Sequence, residues 1–190
     1  MGKKFSKPKE KKEFFEELID LARVTRVVKG GRRMRFRATV VIGNRKGKVG
    51  LGVGKSGEVA LAVQKAVADA KKTLLTFPIV DGTIAHNLQY KFKGAQILLM
   101  PAGPGTGIIS GGATRKILDL AGVENVLTKR FGSTNKLTNA QATMKALTII
   151  AGRTRKEDVK KVEKVEKVEK KETAEKKDSK KKEPKKEAKK

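Results

Sequence analysis

Between residues 23 and 55 the chain holds eleven Lys or Arg, and no acid occurs between Asp20 and Glu58. The stretch reads RVTRVVKGGRRMRFRATVVIGNRKGKVGLGVGK. Cations this dense repel one another unless a polyanion neutralises them, and the closely spaced phosphates of nucleic acid match their spacing. Arg23, Arg26, Lys29, Arg32, Arg33, Arg35, Arg45, Lys46, Lys48 and Lys55 are the candidate contacts, with Gly30 and Gly31 letting the backbone come close. Aromatic residues make up only 4% of the chain, which disfavours stacking of bases on several rings. A cationic, aromatic-poor surface suits readout of backbone and shape in structured RNA.

Other chemistry is poorly supplied. The chain has no cysteine and a single histidine, His86, which excludes thiolate chemistry and Cys-based zinc sites and leaves His86 without a ligand partner. The run Gly52-Val53-Gly54-Lys55-Ser56-Gly57 matches GxGxxG, and Asp81 follows it. A dinucleotide-binding strand, however, is buried on both faces and continuously apolar, whereas residues 48–53 alternate with glycine. A P-loop would need glycine where Val49 stands. These glycines are expected to thin a strand and turn the chain into a helix. A second glycine-rich loop spans 101–112; its apolar Ile108 and Ile109 favour packing against another chain over cradling an anion. No cofactor and no metal are expected.

The elements that would position these residues can be read from periodicity. Phe14, Leu18 and Leu21 fall at helical spacing and predict a helix over 13–22, with Glu13, Glu16, Glu17 and Asp20 on its other face. Strands are expected at 23–28, 35–42 and 48–53, joined by turns at 29–32 and 43–47, as a meander with one buried face. A helix over 58–75 presents Val59, Val63, Ala66, Val67, Ala70 and Leu74, with Ser56 as its N-cap. The second half reads as strands at 83–93 and 96–100, a helix at 113–121 ending at Gly122, a strand at 123–128, a turn at 131–135 and a helix at 137–151.

After residue 155 valines recur every third position, a period that holds no helical face, among Lys and Glu. That tail is expected to be disordered. Residues 156–190 carry 16 Lys and 10 acids, so most of the net charge of +26 lies before them. No apolar run is long enough for a membrane span, so a cytoplasmic protein without membrane contact is expected.

Two blocks, VVKGGRRMRFRATVVIGNRKGKVGLGVGKSGEV and PAGPGTGIISGGATRKILDLAGVENVLTKRFGSTN, resemble the bacterial-type small-subunit ribosomal protein S-five family, over about residues 13–151. The resemblance implies an α+β fold. A double-stranded-RNA-binding-like α-β-β-β-α domain at 13–77 would be followed by an S-five domain-two-like α/β domain at 82–152. A basic arm at 1–12 and a disordered charged tail at 153–190 would flank them. It implies binding to 16S ribosomal RNA, support of subunit assembly and decoding accuracy, and no enzymatic activity. Val24, Thr25 and Arg26 would lie in a loop at the head–body junction near the spectinomycin site. Gly105, Gly107, Gly111, Gly112 and Arg115 would face ribosomal protein S-four, with a further contact to S-eight and proximity to the messenger-RNA entrance. The 43–45 turn, where relatives often carry an acid, and the tail depart from the family pattern. Two other readings compete: a nucleotide-dependent enzyme built on Gly52–Gly57, and a non-specific cationic RNA chaperone working through the Lys-rich ends.

Overall fold

A computed structural model describes residues 14–153, which hold eight strands and three helices. In chain order they are β1 (Phe15–Val28), β2 (Gly31–Gly43), β3 (Lys48–Ser56), α1 (Val59–Lys72), β4 (Leu74–Thr76), β5 (Leu88–Phe92), β6 (Ala95–Pro101), β7 (Ile108–Ile109), α2 (Gly112–Ala121), β8 (Val126–Gly132) and α3 (Lys136–Arg153). They build two four-stranded sheets, ordered β1-β2-β3-β4 and β5-β6-β8-β7. All pairings are antiparallel except that of β7 with β8. The α+β class holds. The basic arm and the Lys/Glu tail lie outside the described residues.

The first element corrects the sequence reading. Residues 15–22, expected as helix, are the first half of β1, paired with β2 from Phe15↔Gly43 onward. Helical spacing of Phe14, Leu18 and Leu21 is misleading because those side chains are not one buried stripe: Phe14 packs on the α1 side, while Leu18 and Leu21 stay exposed. The buried residue is Ile19, 7% exposed, which sits at a register shift between Leu18 and Asp20. This β-bulge re-aims one side chain, and Ile19 drops into the main core. The acids then serve as tethers: Glu17 pairs with Lys116 at 3.0 Å and Asp20 with Lys136 at 3.0 Å, tying β1 to α2 and α3. The first sheet is thus β-β-β-α-β in chain order, not α-β-β-β-α.

The meander also has two buried faces where one was expected. Ala38 through Gly43 of β2 are all buried. Ala38, Val40 and Ile42 point to α1, forming a small core with Ala62, Ala66 and Ala70. Val41 and Val49 point the other way, into a larger core shared with Ile97, Leu99, Ile117, Leu118 and Leu147. The intervening turn seals that second face: Arg45 N–H donates to Leu120 O at 3.0 Å and Gly47 N–H to Ala121 O at 2.8 Å.

β3 is thin on the side that meets α1. A Cβ on Gly50, Gly52 or Gly54 would collide with the carbonyl oxygens of Ala70, Ala66 and Ala62 respectively. Three glycines on a strand therefore face three alanines one helical turn apart, and backbone meets backbone. The stripe on α1 is Ala62, Ala66 and Ala70; Val59 and Leu74, expected inside, are exposed, and Leu74 belongs to β4. The N-cap position is Glu58, without a side-chain cap, while Ser56 ends β3. Asp69 of α1 accepts the Val53 N–H at 3.0 Å, satisfying a donor on β3 beyond the short span that β4 covers.

In the second half, the strand expected over 83–93 is only Leu88–Phe92, and that expected over 123–128 runs later, as Val126–Gly132. The helices at 112–121 and 136–153 lie close to their expected places, and Gly122 closes α2 at φ +91° as a left-handed C-cap.

Gly52→Ala is expected to lower folding stability by about 1–3 kcal/mol, the usual range for overpacking a tight contact. Gly103→Ala, at a position where an added Cβ meets nothing within 4 Å, should stay within about 0.5 kcal/mol. Denaturant titration of both variants checks the pair, and equal effects would contradict the glycine–alanine packing.

Candidate nucleic-acid interface

β1 and β2 run on past the rest of their sheet as a two-stranded finger. Their pairing continues to Val28↔Gly31, so only Lys29 and Gly30 make the turn, with Gly30 at φ +86°. Val24, Thr25 and Arg26, which the resemblance would put in a loop, thus lie within β1, on the first leg of the finger. Every residue from Thr25 to Arg35 is exposed. β3 flanks β2 only as far as Phe36, which pairs with Ser56.

Register sorts the cations onto faces, because directly opposed residues share a side and alternate ones do not. Arg26 is opposite Arg33, Val24 opposite Arg35, and Arg37 opposite both Ala22 and Lys55. One face of the finger therefore carries Arg26, Arg33, Arg35, Arg37 and Lys55. A groove of about 300 Å³ on it is lined by Val24, Thr25, Arg26, Val28, Arg33, Arg35 and Lys55. None of its cations has an ion-pair partner among the described residues. Like charges held this close, with no acid beside them, create a strong local positive potential. The opposite face carries Arg23 and Arg32 flanking Met34, and Arg23 donates to the Met34 sulfur.

The remaining candidates separate. Arg45, Lys46 and Lys48 lie at the other end of the sheet, around the β2–β3 turn. Arg45 is engaged there: its guanidinium sits 5.0 Å from the Phe15 ring centroid and 3.7 Å from Asp119. Two residues belong with the finger that the sequence did not nominate. Arg37 is half-buried with its Nε lacking a hydrogen-bond partner, and Lys65 reaches the base of the finger from α1. The alternation of Arg33, Arg35 and Arg37 signals the first; nothing in the sequence signals the second, which depends on how α1 lies across β3.

The 101–112 loop is not wholly irregular. Ile108 and Ile109 form β7 against β8, Gly107 N–H donates to Asn125 Oδ1 at 3.0 Å, and Gly105 and Gly107 need their positive φ of +87° and +71°. Gly111 and Gly112 differ in having no positive φ, and a Cβ on either would meet nothing within 4 Å. Their smallness answers to no neighbour within the described residues. Ile109, 54% exposed, and Arg115 stand beside them.

Comparison with known proteins now bears on this geometry. The family model described as Ribosomal protein S5, N-terminal domain, matches residues 14–78, and that described as Ribosomal protein S5, C-terminal domain, matches residues 90–161. The chain is 51% identical over 142 residues to small ribosomal subunit protein uS5 of Campylobacter jejuni (strain 81-176), covering 75% of this chain and 97% of that protein. The chain belongs to the uS5 family. Other uS5 relatives include that of Thermotoga neapolitana, 48% identical over 71% of this chain and 76% of its own length. The uS5c protein of Spinacia oleracea is 50% identical over 77% of this chain and 48% of its own length. The packing of α1 explains the glycines of β3 without a bound dinucleotide. Among the described residues no cluster of metal-binding side chains occurs, and no helix is long and apolar enough to cross a membrane.

Arg45→Ala is expected to lower stability by about 0.5–1 kcal/mol by removing its cation–π interaction. It should change RNA affinity less than Arg33→Ala does. Thermal melts together with filter binding test this contrast, and a larger RNA effect from Arg45→Ala would return that residue to the interface.

Proposed function

We propose that this uS5 family member is a structural, non-enzymatic constituent of the small ribosomal subunit in the cytoplasm, and that it binds 16S ribosomal RNA through the β1–β2 finger. The observation that carries this reading is the single finger face bearing Arg26, Arg33, Arg35, Arg37 and Lys55 without acids to pair them. Each cation that neutralises a phosphate releases counterions, so binding should weaken steeply with salt. Lys29 and Gly30 in the turn, with Gly31 and Arg32 at the start of β2, are the leading edge, where no side chain on the glycines obstructs an approaching backbone. Val24, Thr25 and Arg26 on the first leg are the residues proposed to approach the spectinomycin region at the head–body junction.

The protein-facing surface is the 101–112 loop with the start of α2. Gly111 and Gly112 leave open space beside exposed Ile109 and Arg115, as expected where another chain packs closely. Ribosomal protein S-four is the proposed neighbour there, with S-eight as a second contact and the messenger-RNA entrance nearby. The division into domains at 13–77 and 82–152 is proposed as a division of labour, RNA for the first and protein contacts for the second. Both nevertheless share the larger core.

Replacing Arg32 and Arg33 together with Ala should weaken binding to a 16S ribosomal RNA transcript. The log–log salt slope should become shallower by about 0.7–0.9 for each phosphate that is no longer neutralised. An unchanged slope would sink the assignment of the finger.

A further inference from the structure

Where β3 stops, β2 loses its neighbour on one side. Ser56, opposite Phe36, is the last residue of β3, and the chain turns at once through Gly57 into α1. The notch left at that corner has a volume of about 290 Å³ and is lined by Arg33, Arg35, Lys55, Ser56, Gly57 and Lys65, with Met34 at its edge. We propose that this notch is a socket for one phosphate group of an RNA backbone, a site more specific than the broad cationic face. It rests on the RNA-binding reading above and assigns a defined place within it.

Three observations converge on a phosphate. Arg33, Arg35, Lys55 and Lys65 reach the notch from three different elements, and none has an ion-pair partner among the described residues. Ser56 lines the notch, and its hydroxyl makes no hydrogen bond to a described residue but stays open to the space in front of it, where a phosphate oxygen can accept its proton. Gly57 leaves the space over it open, since a Cβ there would meet nothing within 4 Å. No aromatic side chain lines the notch, which leaves nothing to stack a base and favours the phosphate over a whole nucleotide.

The full-length chain bound to a 16S ribosomal RNA transcript provides the test, by phosphate-ethylation interference. In the wild type one phosphate should be intolerant of ethylation because it sits in the socket. Lys65→Gln should make that phosphate indifferent to ethylation, leave the remaining pattern intact, and reduce the salt slope by about 0.7–0.9. Ser56→Ala should relieve the same phosphate with the slope unchanged, since a hydroxyl carries no charge. Lys65 is exposed, so Lys65→Gln is expected to melt like the wild type and keeps the test valid even if Ser56→Ala is unstable. An interference pattern identical to wild type in Lys65→Gln overturns the socket while leaving RNA binding in place. Absence of salt-dependent binding by the wild type overturns the RNA reading itself. Inorganic phosphate separates the remaining source: if it shifts the Gly57 amide resonance while Lys65→Gln leaves the RNA pattern unchanged, the notch serves free phosphate and the proposal fails.

Discussion

Six consecutive residues of β2, Ala38 through Gly43, are buried on both faces, and the rest of the molecule depends on that constraint. One face meets the alanine stripe of α1, and the other meets a core built largely from the second half of the chain. A strand clamped from both sides cannot slip its register without moving its whole apolar set into the wrong layer. The outer half of the same strand, from Gly31 to Arg35, is exposed throughout. One strand is therefore foundation at one end and finger at the other. Its fixed register is what places Arg33, Arg35 and Arg37 on a single face.

Close packing by small residues makes the clamp possible. Gly50, Gly52 and Gly54 let the backbone of α1 lie directly on β3, and Gly43 does the same for β2 against Leu120. Gly122 repeats the device at the end of α2, where a Cβ would collide with Arg45. Glycine is costly in a strand because it loses more conformational freedom on folding than other residues. Here that cost is offset by contacts that no larger residue could make. The same pattern, read only as letters, imitates a nucleotide-binding loop.

Much of this is legible in the sequence, and the failures share a physical origin. The cationic finger follows from charge density and period-2 alternation, and the helix ends at Gly122 and near Ala151 from composition. The first strand defeats a local reading because a bulge at Ile19 breaks its alternation and leaves Leu18 and Leu21 at helical spacing by coincidence. The second buried face is invisible because it depends on where the other half of the chain docks. For the same reason Lys65 escapes notice and Arg45 looks freer than it is. Local patterns report an element's own periodicity; they do not report which neighbour covers it.

The proposed attachment combines two kinds of contact: cations on a rigid finger, and packed surfaces around Gly111, Gly112 and Ile109. Salt screens the first and leaves the second largely intact. Sedimentation of small ribosomal subunits after a high-salt wash therefore tests the account most directly. It predicts that the full-length chain stays with the subunit when loosely bound cationic proteins have been stripped away. Quantitative release of the chain under that wash would contradict it, because a protein that leaves with the salt is held by charge alone.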